Sequence, residues 1–192
     1  MGEAAAAAIP GEVARAVRLV ILDVDGVLTD GGIYLGGLAD GTAFEMKRFE
    51  ITDGLGVSLL KRAGIRVAII TGRTSQAVRL RADELGIDEV EQDPDARKLP
   101  AAEALLRRAG VEWSAVACIA DDLVDLPLLR RAALPVAVAN AVPEVREAAR
   151  WHTRRAGGSG AVREFAEALL KARGEWPDLV ERFLSERETP AR

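Results

Sequence analysis

The chain reads as a parallel, doubly wound α/β sheet, and three apolar runs predict it. Leu19-Val20-Ile21-Leu22, Val67-Ala68-Ile69-Ile70 and the stretch from Ala115 to Ala120 show no polar alternation. That is the pattern of strands buried on both faces. Each run ends in polar residues: Asp23-Val24-Asp25-Gly26, Thr71-Gly72-Arg73 and Asp121-Asp122. Segments with helical spacing lie between them, and strands alternating with helices require crossover connections and hence a parallel sheet.

The remaining elements follow in order. After the first strand, Ile33-Tyr34-Leu35 and Ala43-Phe44-Glu45-Met46 flank the turn residues around Asp40-Gly41, which predicts a β-hairpin within about 31–49. Its apolar residues would lie exposed on an isolated hairpin, so an oligomer is expected. Asp53 to Ala63 reads as a helix with Gly64 as its stop, followed by the second strand, Arg66 to Ile70. Thr74 or Ser75 can cap a helix that runs to Leu85 and ends at Gly86. Val90 marks a short third strand, and Asp95 to Ala109 a helix with Pro100 near its first turn. A helix over Pro127 to Ala132 follows the fourth strand. Then come a fifth strand from Pro135 to Ala139, a helix opened by Pro143 and an edge strand at Trp151-His152-Thr153. Two helices close the chain, Ala161 to Lys171 and one begun by Pro177. One domain over 12–187 is expected, with tails over 1–11 and 188–192.

The composition narrows the function. A chain of 192 residues with 49% hydrophobic and 29% charged positions can bury one good core. A net charge of −4 gives no basic face for nucleic acid or an anionic membrane. Cys118 sits in an apolar run, so the chain offers no disulfide and no cysteine cluster. His152 is the one histidine, which removes histidine triads and zinc sites. The first residues lack a basic region and a long apolar run, so a cytoplasmic protein is expected.

The chemistry lies at the strand ends. A parallel sheet gathers the carboxyl ends of its strands on one edge, which would bring Asp23, Asp25, Thr71, Asp121 and Asp122 together, with Lys98 at the start of an intervening helix. Several carboxylates in one pocket repel, and a hard divalent cation relieves that. Mg2+ suits it, being held by one or two carboxylates together with substrate phosphate. Asp23 and Asp121 fit as ligands, with the Asp25 backbone carbonyl as a third. The other groups suit phosphoryl transfer: Asp23 as nucleophile, Asp25 as general acid and base, the Thr71 hydroxyl and nearby N–H groups on phosphate oxygens, and Lys98 as a cation. Each has a plainer reading alone. Asp-x-Asp-Gly can be a solvated turn, Thr71-Gly72 a strand-to-helix turn, Lys98 a surface residue and Asp121-Asp122 a helix cap. All four would have to hold at successive strand ends.

These residues resemble the haloacid dehalogenase-like phosphatases. DVDGVLTD matches the first motif of that family, Thr71 the second, Lys98 the third and Ala120-Asp121-Asp122 the fourth. Over roughly Arg18 to Lys171, the segments DVDGVLTDGGIY, FEITDGLGVSLLKRAGIRVAIITGRTS, ADDLVDLPLL and GGSGAVRE are most similar to the 3-deoxy-D-manno-octulosonate 8-phosphate phosphatases. The resemblance implies a Rossmann-like core without a large cap domain, and a homotetramer in which the hairpins assemble and a neighbouring subunit helps close each site. It also implies a phosphorylated acidic sugar as substrate, in lipopolysaccharide sugar synthesis. Gly72 would contact that substrate with Thr71, and Arg73 and Arg163 would bind its acidic groups. The chain departs from the pattern twice. Ala120 stands where the fourth motif usually begins with glycine, and QDPDARK is one residue longer than usual before Lys98. Three other readings share the fold: a phosphatase of a nonulosonate 9-phosphate, a phosphoacceptor signalling module and a non-catalytic assembly subunit.

Overall fold

The computed structural model describes residues 8–87 and 89–188. Six parallel strands form the sheet: β1 (Leu19–Leu22), β4 (Arg66–Thr71), β5 (Glu89–Gln92), β6 (Val116–Ala120), β7 (Leu134–Ala137) and β8 (Trp151–His152), in the order β5-β4-β1-β6-β7-β8. Strands β2 (Tyr34–Gly37) and β3 (Ala43–Met46) pair antiparallel as a separate hairpin. Every residue of β1, β6 and β7 is buried, as an apolar run covered on both faces must be.

Helices cover the two faces. On one side α1 (Gly11–Ala16) and α2 (Ile51–Arg62) pack against α7 (Ala161–Arg173), with α3 (Gln76–Leu85) beside α2 and α8 (Trp176–Glu188) against α7. On the other, α4 (Lys98–Ala109), α5 (Leu126–Leu129) and α6 (Pro143–Ala148) form a row. The caps are those the sequence encodes. Ser75 accepts from Val78 N, and Gly86 ends α3 at φ 61°, where a side chain would be strained.

The chain leaves β1 toward β4 and β5 on one side, and returns to β6, β7 and β8 on the other. The strand order therefore reverses between β1 and β6, the position where open α/β sheets bind ligands. Register fixes which residues meet there. Leu22 pairs with Ile69 and Ile119, and Asp23 N donates to Ile119 O (3.2 Å), so Asp23 leaves the sheet beside Asp121.

Several bounds differ from the sequence reading. The tail expected over 1–11 is shorter at its inner end: Ile9 is buried and α1 begins at Gly11, while 1–7 lie outside the described residues. Of the tail expected over 188–192, Glu188 ends α8 and 189–192 lie outside the described residues. The helix expected from Asp95 begins at Lys98, because Asp93 to Arg97 form a turn in which Asp95 N donates to Asp93 Oδ1. The helix expected to reach Ala132 stops at Leu129, and the fifth strand runs from Leu134 to Ala137.

Candidate active site

The deepest part of the site is a buried ion triad. Lys98, 2% exposed at the first position of α4, reaches Asp23 Oδ1 at 2.7 Å and Asp125 Oδ1 at 2.8 Å. Burial opposes the ammonium charge, but Asp23 and Asp125 outweigh it and hold the Lys98 pKa above its usual value. Burial also pushes the Asp125 carboxyl well up, with Asp23 adding to the rise. In the turn before Lys98, Ala96 has φ 54°, a left-handed conformation unusual for a side chain, and packs against Gly72. A Cβ on Gly72 would lie 2.9 Å from the Ala96 Cβ.

Asp121 completes the cluster. Carboxylate oxygens of Asp23, Asp121 and Asp125 all lie within 4.8 Å of one another. Asp121 Oδ1 and Asp125 Oδ2 are buried without a hydrogen-bond partner. Burial first, then the charges of Asp23 and Asp122, push the Asp121 pKa up to about 7. A Cβ on Gly26 would run into Asp121 Oδ2, so only glycine lets the first turn close over this acid. Orphaned oxygens on Asp121 and Asp125 beside the Asp23 carboxylate, in a cradle kept open by glycine, fit a hard divalent cation such as Mg2+. Asp125 is the member that sequence reasoning missed. It follows Asp121 by four positions, after the short turn Leu123–Asp125, and its spacing was the available signal. Asp122 instead caps that turn, accepting from Leu123 N at 2.7 Å.

Asp25, expected to reach the metal through its backbone carbonyl and to keep its side chain off it, directs that side chain toward the hairpin. It pairs with Lys47, whose side chain is fully buried, and lies 3.8 Å from Arg73 Nε. Arg73 donates through Nη2 to Glu45 (3.0 Å), and Glu45 accepts from Ser75 Oγ (2.6 Å). Glu45 comes from β3 and Lys47 from the residue just past its end. The sequence reading had taken that strand as interface alone. Thr71 is buried at the end of β4, adjacent to β1 on the same edge.

Arg163 is not brought to the cluster. Its guanidinium lies over the Trp176 ring, 5.7 Å from its centroid, with Nε 3.7 Å from Glu167. Arg163 N donates to the buried Asp53 Oδ1 (2.8 Å), and burial raises the Asp53 carboxyl to about 6 despite that bond. The glycine-rich loop before α7 lies against the first-strand turn. Gly158 N donates to Val27 O (3.1 Å), and Asn140 spans both segments, donating to Gly26 O (3.0 Å) and accepting from Gly157 N (2.7 Å). A Cβ on Gly157 would collide with Gly26 O.

A parallel sheet with buried acids at its switch point, a buried lysine paired with them and a carboxylate set that fits a divalent cation is the arrangement of phosphoryl-transfer hydrolases built on this fold. Comparison with known proteins narrows the class. The haloacid dehalogenase-like hydrolase family matches residues 92–165. The 3-deoxy-D-manno-octulosonate 8-phosphate phosphatase of Escherichia coli is 43% identical over 162 residues, 84% of each chain. The crystal structure of the Moraxella catarrhalis 3-deoxy-D-manno-octulosonate 8-phosphate phosphatase, in complex with magnesium ion, phosphate ion and KDO, superimposes with a TM-score of 0.83 at 40% identity. It covers 90% of this chain and 97% of that one. The cobalt-bound Haemophilus influenzae enzyme gives 0.76 at 39% identity, covering 84% and 92%. The chain belongs to the haloacid dehalogenase-like hydrolases, in their family of 3-deoxy-D-manno-octulosonate 8-phosphate phosphatases.

Proposed function

We propose that the chain hydrolyses 3-deoxy-D-manno-octulosonate 8-phosphate to the free sugar acid and phosphate, with Mg2+ as cofactor. The observation that carries this is the set of orphaned buried oxygens on Asp121 and Asp125 beside the lysine-paired Asp23. Asp23 is the nucleophile: its free carboxylate oxygen attacks phosphorus, the bond to the sugar oxygen breaks, and an aspartyl phosphate forms. Asp25 protonates the departing sugar oxygen, then takes a proton from the water that attacks the same phosphorus and restores Asp23. Thr71 and the N–H groups after it bind phosphate oxygens, and Lys98 holds Asp23 in place and offsets its charge. Asp23, Asp121 and the Asp25 carbonyl would hold the Mg2+, which supplies charge neutralisation for the transferring phosphoryl group.

Arg73 binds the acidic end of the sugar, and the product enters lipopolysaccharide sugar synthesis in the cytoplasm. No described helix is long and apolar enough to cross a membrane. A homotetramer assembled through the hairpins accompanies this reading, supported by exposed Tyr34, Leu35, Leu38 and Met46 on β2, β3 and their turn.

The test is phosphate release with Mg2+ from a panel of sugar phosphates. Preference for the octulosonate 8-phosphate is expected. Preference for a nonulosonate 9-phosphate would keep the chemistry and replace the substrate, and one phosphate retained per chain without turnover would point to a signalling module. Silence on all, with folded protein, would leave an assembly protein.

A further inference from the structure

The charged underside of the hairpin is larger than docking a ribbon requires. Glu45 sits at its centre, four-fifths buried, with each carboxylate oxygen committed to a different residue of the loop after β4. Oε1 accepts from Ser75 Oγ (2.6 Å) and lies 3.8 Å from Lys47 Nζ, while Oε2 accepts from Arg73 Nη2 (3.0 Å). Ser75 is itself fixed. Its N donates to Gln92 Oε1 (3.0 Å), and its carbonyl accepts from Gln92 Nε2 (3.2 Å), so the Gln92 amide clasps the loop to the end of β5. The Ser75 bond, working against burial and helped by Arg73, holds the Glu45 carboxyl below the usual carboxylate range.

Arg73 gains most from this arrangement. Its side chain is half exposed at the mouth of the pocket, and a guanidinium has five donors in a rigid fork. Glu45 takes one of them and Asp25 approaches another at 3.8 Å, which leaves a planar, oriented fork facing outward. An unanchored arginine on a loop would have to surrender its rotamer freedom at each binding event.

We infer that Glu45 is a positioning residue for substrate selection: it aims Arg73 at the carboxylate of an acidic sugar phosphate, and so makes the hairpin part of the specificity apparatus. This deepens the phosphatase reading above and rests on it. Glu45 touches neither the phosphoryl group nor the metal ligands Asp23 and Asp121. Its loss should therefore weaken recognition of the acidic substrate more than the chemical step.

The experiment compares wild type, Glu45→Ala, Arg73→Ala and the double variant, each with Mg2+, on 3-deoxy-D-manno-octulosonate 8-phosphate and on p-nitrophenyl phosphate, which has no carboxylate. Glu45→Ala is expected to raise KM for the sugar phosphate about tenfold, the scale of one charge-assisted hydrogen bond, with kcat within about twofold. The loss in kcat/KM should be several times larger on the sugar than on p-nitrophenyl phosphate, and the double variant should be no worse than Arg73→Ala. Equal losses on both substrates would mean a merely structural hairpin tether. Additive losses, an unchanged KM or a lowered KM would equally overturn the assignment. Wild type that cleaves p-nitrophenyl phosphate but not the sugar phosphate would instead remove the substrate reading itself. Should Glu45→Ala melt far below wild type, Glu45→Gln keeps the shape and an acceptor for Ser75 while removing the charge. Its effect on KM must then lie between wild type and Arg73→Ala.

Discussion

The sheet edge and the hairpin carry charge in opposite ways. At the edge, Lys98, Asp23 and Asp125 are sealed in the core, and the strands behind them leave no freedom of register. On the hairpin, Glu45 is held by one pairing of four residues with four and Lys47 follows just past it, while the face opposite Glu45 carries the exposed Tyr34 and Met46. Buried ion pairs are costly to build and gain little net stability, so their retention at the edge serves chemistry rather than folding. A two-stranded ribbon is marginal alone, so the hairpin must borrow its rigidity from what it touches. The buried acids and Lys98 thus sit on the rigid part of the fold, and Glu45 on a part that takes its rigidity from the groups it touches.

The sharpest test of that contrast is at the edge. Asp23→Asn should lower turnover on the order of 10³-fold or more, because the amide cannot attack phosphorus. Circular dichroism should show the fold retained, since the amide oxygen still accepts from Lys98. Near-normal turnover by the purified variant would overturn the nucleophile assignment. On the hairpin the expected effect is smaller and of another kind. Tyr34→Asp places a charge on the face of the hairpin opposite Glu45. It should reduce the assembly to smaller species in sedimentation and lower kcat/KM by about tenfold, with the Asp23 chemistry intact. A variant that sediments like wild type would sever the apolar ribbon from assembly. Dissociation with full activity would show that the hairpin is rigid enough without a neighbour.

The same contrast explains what the sequence revealed. Asp23, Thr71 and Asp121 were legible because each ends an uninterrupted apolar run, and a parallel sheet collects such ends whatever the loops do. Lys98 was legible as the residue opening the helix after the third strand, and the structure pairs it with Asp23. Asp125 was missed because it sits past the strand end, in a short turn that gives no periodic signal. Glu45 and Lys47 were missed because the pattern places them on and just past a hairpin strand, but does not say what that segment meets. Arg163 is the opposite case. A charged residue opening a helix by a glycine-rich loop looks like a ligand-binding arginine, and in this structure its backbone N donates to the buried Asp53. The Trp176 ring, thirteen positions on, claims the side chain.

The smallest effect separates edge from hairpin through pH. The Asp121 carboxyl, pushed up to about 7 by burial and by Asp23 and Asp122, returns in the unfolded chain to about 3.9. Between those values the folded state holds a proton that the unfolded state has lost. This group therefore favours folding at low pH, and its contribution falls as pH rises from about 4 to about 7, then stays flat. Other carboxylates change in the same range, so the informative quantity is the difference in melting temperature between wild type and Asp121→Asn without metal. Wild type should lose ground to the variant steadily from pH 4 to 7 and hold a constant difference above. Adding Mg2+ should raise the melting temperature of wild type most above pH 7, where the carboxylate is already ionised, and scarcely move the variant. A difference that is flat across the range, or a variant stabilised by Mg2+ as much as wild type, would show that Asp121 is neither desolvated in the fold nor a holder of the metal. The hairpin acids should leave this curve untouched. Glu45 is held below the usual carboxylate range, so its contribution to stability is lost only as pH falls through the acid end.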